Sequence, residues 1–263
     1  MPEKRDEELG GRMSFLGHLE ELRRRLVVSA LTVVAVFAAV AFTGFLMQPL
    51  RDFFLEPLRR AVEGHGTLQF TAPAEALIFN LKLAGVFAIF ISSPMLFFQF
   101  WKFVAPGLYR NERRLILPFI FFSTLFFAGG AAFGYFVIFP VAFQFFAQFS
   151  TDWIAFNPKL SEAFSFAVWS LFGFGLVFEL PLVAFIFARI GLLSTGFMLR
   201  NFKYALIAIF ILAAVLTPGP DVLSQVLLAI PMLALYGLSL IVVWIFGKRE
   251  KATPTETPEK PAG

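Results

Sequence analysis

The chain has 263 residues, of which 58% are hydrophobic and only 15% charged, and its formal net charge is +4. A soluble domain usually carries about 25% charged residues, and a soluble fold of this length cannot bury so much apolar surface. The absence of cysteine excludes disulfides and thiolate metal sites. With only two histidines, far apart in sequence, a histidine metal site or a Ser–His–Asp triad is not expected. A Rossmann or P-loop glycine pattern is absent from the sequence.

Six apolar segments are candidates for membrane spans. A span needs roughly 20 apolar residues, and it must be helical because lipid offers no hydrogen-bond partner to an open strand edge. The first segment is too long for a cleaved signal peptide core, so we interpret it as a retained span. In the third, Pro140 is expected to interrupt the helix. The segments are approximately 26–47, 76–101, 115–139, 164–188, 204–216 and 225–246. The sequence thus predicts an all-α polytopic membrane protein with six transmembrane helices.

The fifth span is unusually short. Its clearly apolar run, Tyr204–Leu216, would extend only about 20 Å as a helix. Two interpretations remain open. Either the flanking residues Asn201–Lys203 and Thr217 lengthen the helix, or the helix is short and thins the bilayer locally.

The distribution of Lys and Arg predicts the orientation. Most of them lie before the first span, after the sixth, and in the loops that follow spans two and four. The positive-inside rule therefore places both termini in the cytoplasm. We expect residues 1–25 to form a cytoplasmic amphipathic segment, residues 26–246 the six-span domain, and residues 247–263 a disordered cytoplasmic tail.

The loop after the first span has the pattern of an amphipathic helix. Leu50, Phe54, Leu58 and Val62 recur every four residues, with charged residues between them. This pattern predicts a helix lying in the outer membrane interface with its apolar face toward lipid. A second such helix is expected over 141–149, and outer structure of this kind could brace the spans.

The segment before the first span combines an apolar helical face with a charged one. The charged face would allow the i,i+4 ion pairs Glu20–Arg24 and Glu21–Arg25. Such pairing would leave little free carboxylate for a ligand, so the residues alone favour an interfacial helix. The loop 101–114 presents a lone carboxylate, Glu112, among cations, and a solvated loop is an equally valid interpretation.

Two polar features lie within or beside the spans. Glu179 is the only acid deep inside a span, somewhat past its middle, which indicates function by default. Pro181 is expected to kink that helix, and the alternative is a structural hydrogen bond from Glu179 to a neighbouring helix. Thr217 and Gln225 flank the last outer turn and could face each other. The alternative is helix capping by Thr217, Asp221 and Ser224. The pair Gly130–Gly134 predicts close helix packing.

Four motifs resemble signatures of the TatC family. HLEELRRRL (18–26) resembles the segment before the first span, and FVAPGLYRNERR (103–114) the first cytoplasmic loop. FELP (178–181) and LTPGPDVLSQ (216–225) resemble the fourth span and the last outer turn. The motifs occur in the family's order, and the similarity to the family covers about residues 14–246. Gly219 departs from the pattern as an apparent insertion between two prolines.

The resemblance implies a cup-shaped, six-span protein that acts as signal-peptide receptor and core subunit of the twin-arginine translocase. This system exports folded proteins across the cytoplasmic membrane with proton-motive force. By the same resemblance, Glu21 and Glu112 would bind the two guanidinium groups of a signal peptide. Arg23 and Phe103 would shape that site.

The resemblance also implies partners. Glu179 would lie in the concave face of the cup, and Thr217 and Gln225 would contact single-span TatA/TatB-type subunits in a hetero-oligomer embedded in membrane lipids. No cofactor, metal, enzymatic activity or nucleic acid is implied. The alternative function is a secondary transporter or ion channel using Glu179. That alternative predicts more polar residues lining several spans than the sequence contains.

Overall fold

The computed structural model describes residues 15–62, 69, 72–108, 116–151, 156–217 and 222–247. Apart from short loops, these residues are helical, as the apolar composition predicts. The helices are α1 Phe15–Phe42, α2 Gly44–Val62, α3 Glu75–Leu108, α4 Ile116–Phe133, α5 Phe139–Ala147, α6 Leu160–Phe178, α7 Leu180–Arg189, α8 Thr195–Arg200, α9 Phe202–Leu216 and α10 Val222–Phe246.

Five helical stretches in the described part of the chain are long and apolar enough to cross a membrane. They match the first four and the sixth predicted spans, which confirms the all-α polytopic class. Many large apolar side chains, among them Leu31, Leu125 and Trp244, are exposed on the outside of the bundle, as expected of surfaces in contact with lipid. The stretches are Gly17–Phe42, Glu75–Val104, Leu117–Ala147, Leu160–Arg189 and Val222–Phe246.

The sixth candidate span, α9, is short in the structure. It begins at Phe202, ends at Leu216 and has 15 residues, hence a length of about 22 Å. Asn201 and Thr217 are non-helical caps, so they do not lengthen it, although Phe202 and Lys203 do. The interpretation as a short helix is therefore favoured, and local thinning of the bilayer stays a prediction.

The first span and the segment before it form one helix. α1 runs without a break from Phe15 through Leu26 to Phe42, so no structural boundary separates residues 25 and 26. We call the end of the bundle where α1 begins and α10 ends the proximal end, and the opposite end the distal end. Residues 1–14 and 248–263 lie outside the described residues, as does the predicted disorder of the tail.

The prediction that Pro140 interrupts the third span is wrong. A π-helical segment, Gly134–Ile138, joins α4 to α5, and the helical path continues to Ala147. Proline lacks an N–H group, and its ring would clash with the carbonyl four residues earlier in a regular α-helix. The wider π turn, in which the N–H of Phe139 donates to the carbonyl of Gly134, accommodates the ring.

The apolar face of α2 packs against protein and not against lipid, which corrects the predicted interfacial orientation. Phe54 and Leu58 are almost fully buried, and they pack with Phe79 and Phe164 in the largest apolar cluster among the described residues. The hydroxyl of Tyr135 donates to a backbone carbonyl of α2. α2 lies against α3 and α5 across the distal end, so it does brace the longer helices.

The longer helices contact one another in a row. α1 packs on α3, α3 on α4, and α4 on α6. The continuation of α6, which is α7, packs on α10, and α10 packs on α9. This row is covered at its distal end by α2 and α5, and the cup shape that the family resemblance implies stays an expectation.

The contact between α4 and α6 depends on glycine, as the Gly130–Gly134 spacing predicts. A Cβ atom at Gly130 would lie 2.4 Å from the carbonyl oxygen of Phe174, and one at Gly134 would lie 2.7 Å from that of Ser170. No real Cβ atom approaches backbone so closely. The two helices can therefore be this close only because these positions carry hydrogen in place of a side chain.

We expect Gly130→Ala to destabilise the protein by about 1–3 kcal/mol, because its methyl group would force backbone apart. The control is Gly129→Ala, where an added Cβ meets nothing within 4 Å. Thermal unfolding of both variants in detergent measures the difference. Equal melting temperatures would show that the α4–α6 contact tolerates expansion.

Candidate functional site

The N-terminal part of α1 meets the C-terminal part of α3 at the proximal end. His18, Glu21 and Arg25 follow one another at spacings of three and four, so they share one face of α1. On α3, Gln99 and Phe103 are four residues apart and face them. The His18 ring stacks on the Phe103 ring with centroids 4.3 Å apart. Arg25 Nη1 donates to Gln99 Oε1 at 3.3 Å. We call these five residues the proximal cluster.

Glu21 is held tightly within the proximal cluster. Its Oε1 atom accepts hydrogen bonds from Arg25 Nε, at 3.0 Å, and from Arg25 Nη2. The side chains of Arg25 and Glu21 are only 15% and 18% exposed. Glu21 Oε2 is buried and accepts no hydrogen bond from the residues that the structure describes. The predicted Glu21–Arg25 pair is thus confirmed.

The second predicted pair, Glu20–Arg24, is not formed. Both side chains are exposed, and neither makes an ion pair within the described ranges. Exposed i,i+4 pairs contribute only a few tenths of a kcal/mol. Only the pair that packs against α3 is therefore fixed.

The structure brings together only some of the residues predicted to form the signal-peptide site. Phe103 lies in the proximal cluster beside Glu21. Arg23 is exposed, and two residues correspond to about 200° around a helix, so it lies on a different face of α1. Glu112 lies outside the described residues, and its role stays a prediction.

The buried acid Glu179 occupies a break between two helices. α6 ends at Phe178 and α7 begins at Leu180, with Pro181 in the first turn of α7. The helix is thus interrupted beside this proline, and the kink itself stays a prediction. Glu179 is 8% exposed. It lies about 15 Å along the helix from Arg189, hence in the proximal half of this span.

The Glu179 side chain lies beside polar groups of other helices. Ser123 on α4 is next to the Glu179 carboxyl group, and Trp101 Nε1 on α3 donates to Ser123 Oγ at 2.8 Å. Oε1 of Glu179 has no hydrogen-bond partner within the described part of the chain. The interpretation of Glu179 as a structural clasp between helices stays a prediction.

Sequence reasoning missed three polar side chains that surround the predicted site residues: Gln99, Trp101 and Ser123. The available signal was their polarity within apolar spans, because a polar side chain there tends to face the protein interior. That signal does not identify which partner each side chain meets. Helix rotation and crossing, which the sequence pattern leaves open, determine the pairing.

Thr217 and Gln225 both bond to α9 but do not face each other. Thr217 Oγ1 donates to the carbonyl of Ala214 at 3.0 Å, whereas Gln225 Nε2 donates to that of Phe210 at 2.7 Å. Along α9, Phe210 lies about 10 Å before Thr217. Gln225 also borders an apolar groove of about 490 Å³ along α9. The groove is lined by Leu206, Ile207, Phe210, Ile211, Ala214, Val215 and Gln225.

Comparison with known proteins gives one consistent result. The family described as Sec-independent protein translocase protein (TatC) matches residues 17–231. A Sec-independent protein translocase protein TatC from Desulforapulum autotrophicum is 42% identical over 93% of this chain and 89% of its own length. The protein of the same name from Helicobacter pylori is 41% identical over 86% of each.

The fold is also similar to solved structures. A crystal structure described as the twin arginine translocase receptor TatC has a TM-score of 0.77 and 29% sequence identity, covering 87% of this chain and 98% of its own. A second crystal structure of that receptor, in DDM, gives a TM-score of 0.76.

We expect Ser123→Ala to lower the free energy of unfolding by about 1–3 kcal/mol, because the buried Trp101 N–H loses its acceptor. The matched control is Thr124→Ala, since Thr124 Oγ1 bonds to Ile120 of its own helix. Chemical or thermal unfolding in detergent measures both variants. If the control is equally destabilised, the hydrogen bond from Trp101 to Ser123 contributes nothing specific.

Proposed function

The chain belongs to the TatC family of Sec-independent protein translocase proteins, and on this basis we propose that its proximal cluster binds the paired arginines of export signals. It is a multi-pass bacterial membrane protein with a transport function, the signal-peptide receptor and core subunit of the twin-arginine translocase. The residues that perform this function are assigned below from the contacts of the proximal cluster.

We place the protein in the cytoplasmic membrane with its proximal end and both termini in the cytoplasm. Among the described residues, seven cations belong to this end and four to the distal end. The proximal ones are Arg23, Arg24, Arg25, Lys102, Arg189, Arg200 and Lys203, and the distal ones are Arg51, Arg59, Arg60 and Lys159. The positive-inside rule then assigns the proximal end to the cytoplasm. Export signals are made in the cytoplasm, so a receptor site at this end is where they would arrive.

The observation that carries the proposal is the surroundings of Glu21. Its carboxylate already accepts hydrogen bonds from a guanidinium group, and the stacked rings of His18 and Phe103 lie beside it. A carboxylate next to flat aromatic surface suits arginine, whose planar guanidinium forms paired hydrogen bonds and stacks on rings. Lysine offers a point charge that does neither. Glu112 is proposed as the second carboxylate on the basis of its motif.

The carboxylates of the protein and the apolar segment of the signal contribute differently to binding. Exposed ion pairs contribute only about 0–1 kcal/mol each, so two of them cannot hold a peptide. We therefore assign much of the affinity to the apolar segment of the signal and the selectivity to Glu21 and Glu112. The cations Arg23, Arg24 and Lys102 repel a basic ligand, so a ligand benefits only where it reaches the carboxylates.

Partner subunits are assigned to the α9 side of the molecule. We propose that single-span TatA/TatB-type subunits contact the region around Thr217 and Gln225, where α9 presents an exposed apolar groove. In this hetero-oligomer, proton-motive force would drive the export of folded proteins. Glu179 lies beside Ser123 within the bundle, and the related proteins are translocase subunits, so the transporter alternative is not retained.

The test is binding of a labelled twin-arginine signal peptide to the purified protein, compared with a twin-lysine version. Glu21→Gln and Glu112→Gln should each reduce the preference for arginine by about three- to tenfold, since each loses a charged hydrogen-bond acceptor. Thermal unfolding should change little.

The matched control is Glu20→Gln, which removes the same charge from an exposed, unpaired neighbour of Glu21. Its arginine preference should stay unchanged. The proposal fails if Glu20→Gln is as harmful as Glu21→Gln, or if arginine and lysine peptides bind all variants alike.

A further inference from the structure

In this structure the carboxylate of Glu21 is not accessible to a ligand. Arg25 directs Nε and Nη2 to Oε1, and Oε2 is buried without a hydrogen-bond partner among the described residues. An arginine from outside can reach Glu21 only after the Arg25 side chain moves away. Glu21 is therefore occupied by a guanidinium group of its own helix.

We propose that Arg25 is an internal competitor that occupies Glu21 in place of a signal arginine, so that signal binding exchanges one guanidinium for another. This inference rests on the proposed receptor function and adds a residue that sets the affinity of the site. Arg25 is held in place by Gln99 Oε1, which accepts a hydrogen bond from Nη1. Gln99 on α3 therefore stabilises the arrangement in which Arg25 occupies Glu21.

The geometry of the pair makes the exchange feasible. Arg25 binds a single carboxylate oxygen, because both of its contacting nitrogens meet Oε1. An arginine from a separate chain is free of the i,i+4 constraint and can approach both oxygens in the paired, fork-like arrangement. The incoming pair can thus use both carboxylate oxygens, whereas the resident pair uses one.

Competition of this kind affects all ligands equally. When only a fraction of the molecules has Glu21 open, the apparent dissociation constant of every ligand rises by the inverse of that fraction. Arg25 should therefore lower the affinity for arginine and lysine signals by the same factor. It sets the threshold for binding, whereas Glu21 sets the preference for arginine.

The experiment measures binding of twin-arginine and twin-lysine peptides to the full-length protein carrying Arg25→Gln. The matched control is Arg24→Gln, which removes the same charge from an exposed neighbour without an ion pair in the described region. Arg25→Gln should bind both peptides about two- to fivefold more tightly than Arg24→Gln does. In a Glu21→Gln background the advantage should disappear.

A charge-neutral variant separates competition from general electrostatics. Gln99→Met removes the acceptor that holds Arg25 while preserving net charge, and it should strengthen binding in the same direction by a smaller factor. Arg25→Lys should do likewise, since it keeps the charge but loses the fork. These two variants also decide the matter if Arg25→Gln does not fold.

Equal affinities of Arg25→Gln and Arg24→Gln would overturn the inference, as would weaker binding by Arg25→Gln, which would make Arg25 a positioning residue for Glu21. Failure of the proposed function looks different. In that case Glu21→Gln alone would leave the preference for arginine unchanged, whatever the Arg25 variants do.

Discussion

The close contact between α4 and α6 determines at which depth the buried acid Glu179 can lie beside a polar group. Gly130 on α4 and Gly134 at the start of the π segment bring the backbones together, and the same contact line continues to Ser123 beside Glu179. Because hydrocarbon offers no hydrogen-bond partner, an acid within a span needs a partner from the protein. The contact residues along α4 and the π segment recur at spacings of four, three and four: Ser123, Phe127, Gly130 and Gly134. The close packing of Gly130 and Gly134 against α6 thus determines where Ser123 lies relative to Glu179, nearer the proximal end.

The proximal cluster depends on helix length. α3 has 34 residues, which corresponds to about 51 Å, far more than the roughly 30 Å of hydrocarbon. Its last turns therefore extend beyond the lipid core and offer Gln99 and Phe103 as a support for the start of α1. α1 buries little surface of its own, so its contact with α3 is what gives Glu21 a defined surrounding. A defined cluster of side chains can form outside the lipid core because two membrane helices project from it together.

The sequence predicts the helices better than their mutual contacts. Bilayer thickness dictates span length, so hydropathy locates five long helices, and the Gly130–Gly134 spacing predicts a close approach. The orientation of α2 is missed because an amphipathic pattern is the same whether its apolar face meets lipid or protein. Glu21 and Phe103 come from a motif, but the contact of Gln99 with Arg25 and the proximity of Ser123 to Glu179 depend on how neighbouring helices rotate, which no local pattern records.

Because of the π segment before Pro140, the number of residues in this region matters as much for the fold as their chemical type. Each residue of a regular helix turns the chain by about 100°, and the wide turn shifts everything after it relative to a regular continuation. α5 buries Phe139, Ala142, Phe143 and Ala147 on one side. Losing a single residue within Gly134–Ile138 would rotate that side away from α2, although every remaining side chain is unchanged. Over evolutionary time this segment should therefore tolerate exchanges of residue type far more readily than insertions or deletions.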